Sequence, residues 1–130
     1  GNRFFFVSPE HLRIGQDIKD HLIEKETPFE ETSELYESPV LPGTDVIYMT
    51  RIQKERMLPG EYEAGKGKLV ITEKELNRIS QSARILHPLP HNEEISLSVE
   101  TEQNDKRVAY FRQAENGLYI RMALLLHLLQ

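Results

Sequence analysis

Phe4-Phe-Phe-Val7 is an unbroken apolar run, and residues 3–7 read as a central strand. Ser8 and Pro9 then offer a helix N-cap followed by proline at the first helical position. Ile14, Ile18 and Leu22 recur at four-residue spacing with Leu12 alongside, while Asp17, Lys19, Asp20 and Glu24 fall on the other side, so a helix is predicted to about Lys25. Residues 28–44 carry four acidic side chains together with Pro28, Pro39, Pro42 and Gly43, and predict loop with a short element over 33–37. A strand follows at 45–50. The charged stretch 51–68, broken by Pro59, Gly60, Gly65 and Gly67, predicts a long mobile loop.

Residues 69–71 read as a brief strand, and Thr72-Glu-Lys-Glu75 has the form of a capping box opening a helix to about Ala83 with Leu76 and Ile79 on its buried face. Ile85 and Leu86 form a strand, 99–107 reads as polar loop, and Tyr110 and Phe111 as a last edge strand before a helix over about 114–129. Strands alternating with helices imply a parallel sheet covered on both faces: an α/β fold, a three-layer α/β/α open parallel sheet of Rossmann-like type. In the final helix Leu118, Met122, Leu125 and Leu129 form one apolar line, and Ile120, Leu124 and Leu128 another on a different side. A helix apolar nearly all round must be buried on two sides.

Composition narrows the function. At 130 residues, 38% hydrophobic and 28% charged, the chain has room for one globular domain, 1–130. Its net charge is −5, and its 16 lysines and arginines are scattered, which argues against a nucleic-acid surface. The absence of cysteine excludes disulfides, thiolate catalysis and zinc–cysteine sites. The apolar stretch 118–129 is too short to span a bilayer and contains Arg121 and His127, and the start of the chain reads as a buried strand without the basic lead of a signal peptide.

Candidate chemistry gathers in two segments, Asp45-Val-Ile-Tyr-Met-Thr-Arg-Ile-Gln-Lys-Glu-Arg56 and Ile85-Leu-His-Pro-Leu-Pro-His-Asn-Glu-Glu-Ile95. Each is a short apolar strand that stops in polar or proline-rich residues, and in an open α/β sheet the carboxyl ends of strands are where ligands bind. Arg51 and Gln53 offer a cationic fork and an amide suited to a carboxylate, although from the residues alone Arg51 reads first as a surface arginine paired with Glu55. Arg3, beside an apolar run, must pair or bind a ligand. His87 and His91, four apart, suggest a metal pair only on a helix, which Pro88 and Pro90 forbid; a tight turn is the better reading. Gly65-Lys-Gly-Lys68 lacks the spacing of a phosphate loop and reads as a mobile turn. Arg112 and Arg121 flank the start of the last helix, where a surface or salt-bridge role fits as well as any other.

These two segments, with Tyr110-Phe-Arg-Gln-Ala-Glu-Asn-Gly117 and the opening Gly1-Asn-Arg3, resemble the aspartate-binding half of the aspartate carbamoyltransferases, in their eukaryotic form. The Thr-Arg-Ile-Gln and His-Pro-Leu-Pro segments differ from the sister ornithine enzymes. The resemblance implies that Arg51 and Gln53 grip the side-chain end of L-aspartate, that Arg3 meets its α-carboxylate, and that Lys54 and Glu55, with Arg56, help hold the loop closed. It implies that the Pro88, Leu89 and Pro90 turn, with Leu89–Pro90 cis, turns carbonyls toward the carbamoyl NH₂ group of carbamoyl phosphate. His91 departs from the family, where an arginine is usual, and a largely neutral imidazole does not replace a permanent charge.

The complete enzyme so implied transfers the carbamoyl group to aspartate in pyrimidine biosynthesis, with no metal or cofactor. It would work as a cytoplasmic homotrimer, in the eukaryotic branch often as the last module of a multifunctional polypeptide. A second domain would supply the Ser-Thr-Arg-Thr segment that holds carbamoyl phosphate, and an adjacent subunit a lysine. No catalytic residue lies in this half alone, which would be inactive by itself, and the helix at about 114–130 would pack on the missing domain, so that one of its apolar lines is exposed without it. The rival reading is a non-catalytic, degenerate homologue acting as a scaffold.

Overall fold

The computed structural model describes residues 1–35, 40–53, 60–65 and 67–129. Every strand pairing among them is parallel, with helices between the strands, so the chain is an α/β protein. It divides into two compact units, Gly1–Pro42 with Ile52–Leu69, and Gly43–Arg51 with Val70–Gln130.

The first unit is built on a strand–helix–strand unit. Strand β1 (Phe4–Val7) leads through a 3₁₀ turn to helix α1 (Gln16–Glu24), and β2 (Phe29–Thr32) returns alongside β1 with Phe4 opposite Phe29 and Val7 opposite Thr32. Ser8 and Pro9 do not open the long helix expected of them. Arg13 and Gly15 are both extended, so the chain makes only the single turn Glu10–Leu12 and α1 restarts at Gln16 without a side-chain cap. Its end at Lys25 is as expected. The apolar face of α1 is poorly covered: Ile18 is 45% and Ile23 63% exposed. A helix buries a stripe only where another layer meets it, and strands of four residues make a small layer.

Strand β2 lies in the stretch expected to be loop. Its acids are compatible with a strand because alternate side chains face opposite ways: Glu30 is exposed, whereas Glu31 turns to Lys19, whose Nζ lies 2.5 Å from its Oε2. That hydrogen bond is the main reason the Glu31 carboxyl sits below its ordinary pKa. The stretch read as a mobile loop contains a short helix, α2 (Glu61–Gly65), so the Gly65–Lys68 turn begins as helix. Of the short element expected at 33–37, residues 36 and 37 lie outside the described residues, and Ser33–Leu35 form neither helix nor strand.

In the second unit β3 (Val46–Tyr48) pairs with β5 (Arg84–Leu86), and β4 (Ile71–Thr72) with β6 (Ile95–Ser96). Ile85 also bridges to Val108. The capping box is present: Thr72 caps helix α3 (Glu73–Leu76), and the buried Glu75 carboxylate accepts the Thr72 N–H at 3.1 Å. The helix stops after one turn instead of running to Ala83, yet Leu76 and Ile79 are buried as expected. They join Ile71, Ala83, Ile85, Ile95, Val108, Ala109 and Tyr110 in this unit's core.

Two further expectations fail here. The polar stretch 99–107 contains helix α4 (Val99–Asn104), capped by Ser98, whose hydroxyl accepts the Thr101 N–H at 3.1 Å. It has no apolar stripe, so only its cap marks it. Tyr110 and Phe111 are not an edge strand but the first turn of α5 (Tyr110–Leu128), because Val108 has already taken the place beside Ile85. Tyr110 is the single buried residue of α5, and its large apolar side chains from Leu118 to Leu128 are 52–76% exposed. Both apolar lines, not one, face solvent. Among the described residues no helix is long and apolar enough to cross a membrane.

Candidate functional site

The parallel register sets Tyr48 opposite Leu86, and the Met49 N–H continues the ladder to the Leu86 carbonyl at 2.9 Å. Both strands therefore end at one edge, and the segments carrying Arg51 and His87–His91 leave from it. This is the carboxyl edge, where α/β proteins place ligands.

The turn after β5 is held by buried polar groups. Gln113 of α5 accepts the His87 N–H through Oε1 at 3.0 Å, and the His87 ring accepts the Leu89 N–H at Nδ1, 2.8 Å away. Leu89 has φ +53°, a left-handed conformation costing a non-glycine residue about 1–3 kcal/mol, which persists only when surroundings enforce it. The Leu89–Pro90 peptide is cis, as expected. Pro88 and Pro90 are exposed and Leu89 is half-buried, so the turn stands at the surface on a buried footing.

That footing is an arrangement of imidazoles and carboxylates. Nε2 of His87 lies 2.9 Å from Glu94 Oε1, at ion-pair distance but off the direction a hydrogen bond requires. The same Glu94 oxygen accepts the Asn92 N–H at 2.9 Å. Nε2 of His91 lies 2.9 Å from Glu102 Oε1, which also accepts the Tyr110 hydroxyl. The His91 ring meets those of Tyr110 and His87 edge-on, with centroids 5.4 and 6.2 Å away. Burial holds the His87 imidazole below its ordinary pKa, assisted by His91 and opposed by Glu94. Burial and then Glu102 push the Tyr110 hydroxyl well above its usual value, so it stays a donor. The two imidazoles do not converge on a common point; each faces its own carboxylate.

The remaining expected residues are distributed between the units. Arg51 is half-buried in the same unit as the Pro88–Pro90 turn. Gln53 is exposed and belongs to the first unit, as does Arg3. The Arg3 guanidinium is exposed, paired with Glu30 of β2 and set over the Phe5 ring at 5.1 Å. An exposed ion pair of this kind is weak, so a ligand carboxylate can compete for the arginine. Lys54 and Glu55 lie outside the described residues. Sequence reasoning missed Glu94, Glu102, Tyr110 and Gln113, which frame the turn. Only the Asn-Glu-Glu run hinted at a local carboxylate, and the other three are on helices whose approach no local spacing announces.

Residues 1–128 match a family model described as the Asp/Orn binding domain of aspartate/ornithine carbamoyltransferase. The chain belongs to this carbamoyltransferase family. It is similar to the chloroplastic aspartate carbamoyltransferase of Oryza sativa subsp. japonica, with 48% identity over 95% of this chain and 33% of that protein. The Multifunctional protein CAD of Squalus acanthias is 45% identical over 92% of this chain and 5% of its own length. Among solved structures, aspartate transcarbamoylase from Trypanosoma cruzi in complex with N-(phosphonacetyl)-L-aspartic acid superposes with a TM-score of 0.80 at 32% identity, covering 95% of this chain and 39% of that one. The catalytic subunit of the M. jannaschii enzyme gives 0.79 at 36% identity, with the same coverage. This carbamoyltransferase domain thus spans about a third of the plant relative it matches.

Proposed function

We propose that the chain is the aspartate-binding half of an aspartate carbamoyltransferase, which transfers the carbamoyl group of carbamoyl phosphate to the amino group of L-aspartate in pyrimidine biosynthesis. The observation that carries this reading is the exit of Thr50-Arg-Ile-Gln53 and His87-Pro-Leu-Pro90 from one carboxyl edge of the β3–β5 pair. Identity of 48% to an aspartate carbamoyltransferase over nearly the whole chain supports aspartate over ornithine.

In the reaction Arg51 and Gln53 orient the side-chain carboxylate and Arg3 the α-carboxylate, leaving the deprotonated amino group aimed at the carbamoyl carbon. Carbonyls of the Pro88, Leu89 and Pro90 turn accept hydrogen bonds from the carbamoyl NH₂ group. The nitrogen attacks, the tetrahedral intermediate expels phosphate, and a proton leaves the new amide nitrogen. Positioning and charge stabilisation supply the catalysis. Lys54 and Glu55 support the loop. The complete enzyme is a cytoplasmic homotrimer, and the resemblance to the Multifunctional protein CAD supports a place within a longer polypeptide.

The test is production of N-carbamoyl-aspartate and phosphate by the full-length protein, with ornithine as the competing acceptor. Aspartate-dependent product is expected. Preference for ornithine, or no product, overturns the reading.

A further inference from the structure

The turn after β5 carries a left-handed leucine, and one group reaches in to hold it. The Leu89 N–H is a donor, so the His87 Nδ1 that receives it at 2.8 Å must present a lone pair. The ring proton of a neutral His87 therefore sits on Nε2, which faces Glu94 at 2.9 Å. His87 is 1% exposed, and water has little access to substitute for either contact. Its backbone is anchored separately by Gln113, and Glu94 is anchored by the Asn92 N–H. Ring, carboxylate and backbone together enclose residues 87–94.

We propose that His87 is a positioning residue, whose Nδ1 clamps the Leu89 N–H and fixes the backbone of the Pro88–Pro90 turn, so that the turn keeps its shape only while Nδ1 is unprotonated. The carbamoyl group as the turn's ligand rests on the proposed function; the clamp itself does not. A second proton on His87 would convert Nδ1 from acceptor to donor, set two N–H groups against each other and release Leu89. The charged and titratable groups facing the ring are Glu94, which favours that proton, and His91, which disfavours it; Gln113 is neutral, and Glu102 and Tyr110 face His91. Burial outweighs Glu94 and lowers the pKa. The clamp is therefore complete above the ordinary imidazole pKa and is lost as pH falls through the lowered folded value.

The test uses the full-length protein and two substitutions that separate acceptor from donor. In His87→Asn the side-chain oxygen takes the place of Nδ1 and does not titrate. In His87→Gln the amide reaches toward Glu94 and leaves Leu89 unheld. Across about pH 5 to 8, the wild-type KM for carbamoyl phosphate should rise on the acid side. The Asn variant should keep the neutral-pH KM within about threefold and lose that acid limb, whereas the Gln variant should lose about tenfold at every pH, with the aspartate KM changing less. Equal impairment of both variants, or an acid limb that persists in His87→Asn, overturns the clamp.

Exchange of the imidazole C2 hydrogen, followed by mass spectrometry on the wild-type protein, gives the titration midpoint of His87 without any variant. A midpoint below the ordinary value of about 6.5 is expected. One above it overturns the clamp, because an imidazolium Nδ1 accepts nothing. A wild-type protein that forms no carbamoyl-aspartate removes the proposed function, and the exchange measurement still decides the clamp.

Discussion

Removing the guanidinium of Arg107 should be the most damaging single change outside the apolar core. This arginine is 6% exposed. Its Nη2 lies 2.6 Å from Asp105 Oδ2 and its Nε 3.0 Å from Oδ1, a two-point pair. On its other side Nη1 donates to the Leu76 carbonyl at 2.6 Å and approaches that of Ile79 at 3.4 Å, closing the carboxyl end of α3, whose last carbonyls have no partner within the helix. Arg107→Ala leaves the Asp105 carboxylate with only the backbone N–H of residue 107, 2.8 Å from Oδ1, and strands the Leu76 carbonyl. Breaking a buried pair costs about 3–5 kcal/mol, and because the Asp105 side chain keeps 21% exposure, the expected loss is near the lower end, about 3 kcal/mol.

Urea unfolding followed by circular dichroism measures this loss, with Asp105→Asn and the double variant completing a cycle whose coupling should be about 1.5–3 kcal/mol. The dependence on pH has a definite sign. Hydrogen bonding to Arg107 holds the Asp105 carboxyl below its ordinary pKa. Its contribution is therefore whole above the unfolded value of about 3.9 and disappears as pH falls through the folded one. The gap between wild type and Arg107→Ala should narrow only in acid. A loss under about 1 kcal/mol would show that Arg107 does not hold a stabilising buried pair. So would a gap unchanged after Asp105 protonates.

In the full-length protein Arg51→Ala should lower kcat/KM for aspartate by about 2–4 kcal/mol, roughly 30- to 1000-fold, with carbamoyl phosphate affected far less. Equal losses for both substrates would assign Arg51 to the fold or to closure. The 130-residue chain should self-associate through α5, because each large apolar side chain left in water there forgoes about 1.5–3 kcal/mol. A clean monomer across a concentration series in sedimentation velocity would contradict this. Gly117→Ala should raise stability by about 0.5–1 kcal/mol, since the added carbon meets only the Arg121 guanidinium, at an ordinary 3.5 Å; thermal unfolding reads it, and a lower midpoint would refute it.

The residue pattern by itself determined the features whose causes are local. Thr72 and Glu75 form their capping box because both partners lie within one turn. Phe4–Val7, Val46–Tyr48 and Arg84–Leu86 are strands where apolar runs stop at polar or proline residues. The apolar girth of α5 announced a helix whose apolar lines lie exposed, and Arg3, Arg51, Gln53 and the His-Pro-Leu-Pro turn stand in segments that resemble the family. Tertiary structure alone decided what depends on partners far along the chain. Phe29–Thr32 looks like acidic loop until β1 supplies its ladder, and Ile95–Ser96 is a strand only beside β4.

The buried polar groups belong to this second class. Nothing in Asn104-Asp-Lys-Arg107 distinguishes a lysine left exposed from an arginine almost wholly buried, because that choice is made by the carbonyls of Leu76 and Ile79, about thirty residues earlier. Likewise His87 is one histidine among five until folding encloses it. Local sequence acts over a turn of helix or a pair of strand residues, whereas burial is a property of what the rest of the chain brings to a place. Desolvation sets the ionisation and hydrogen-bonding role of such a group, so its function is written only in the folded structure.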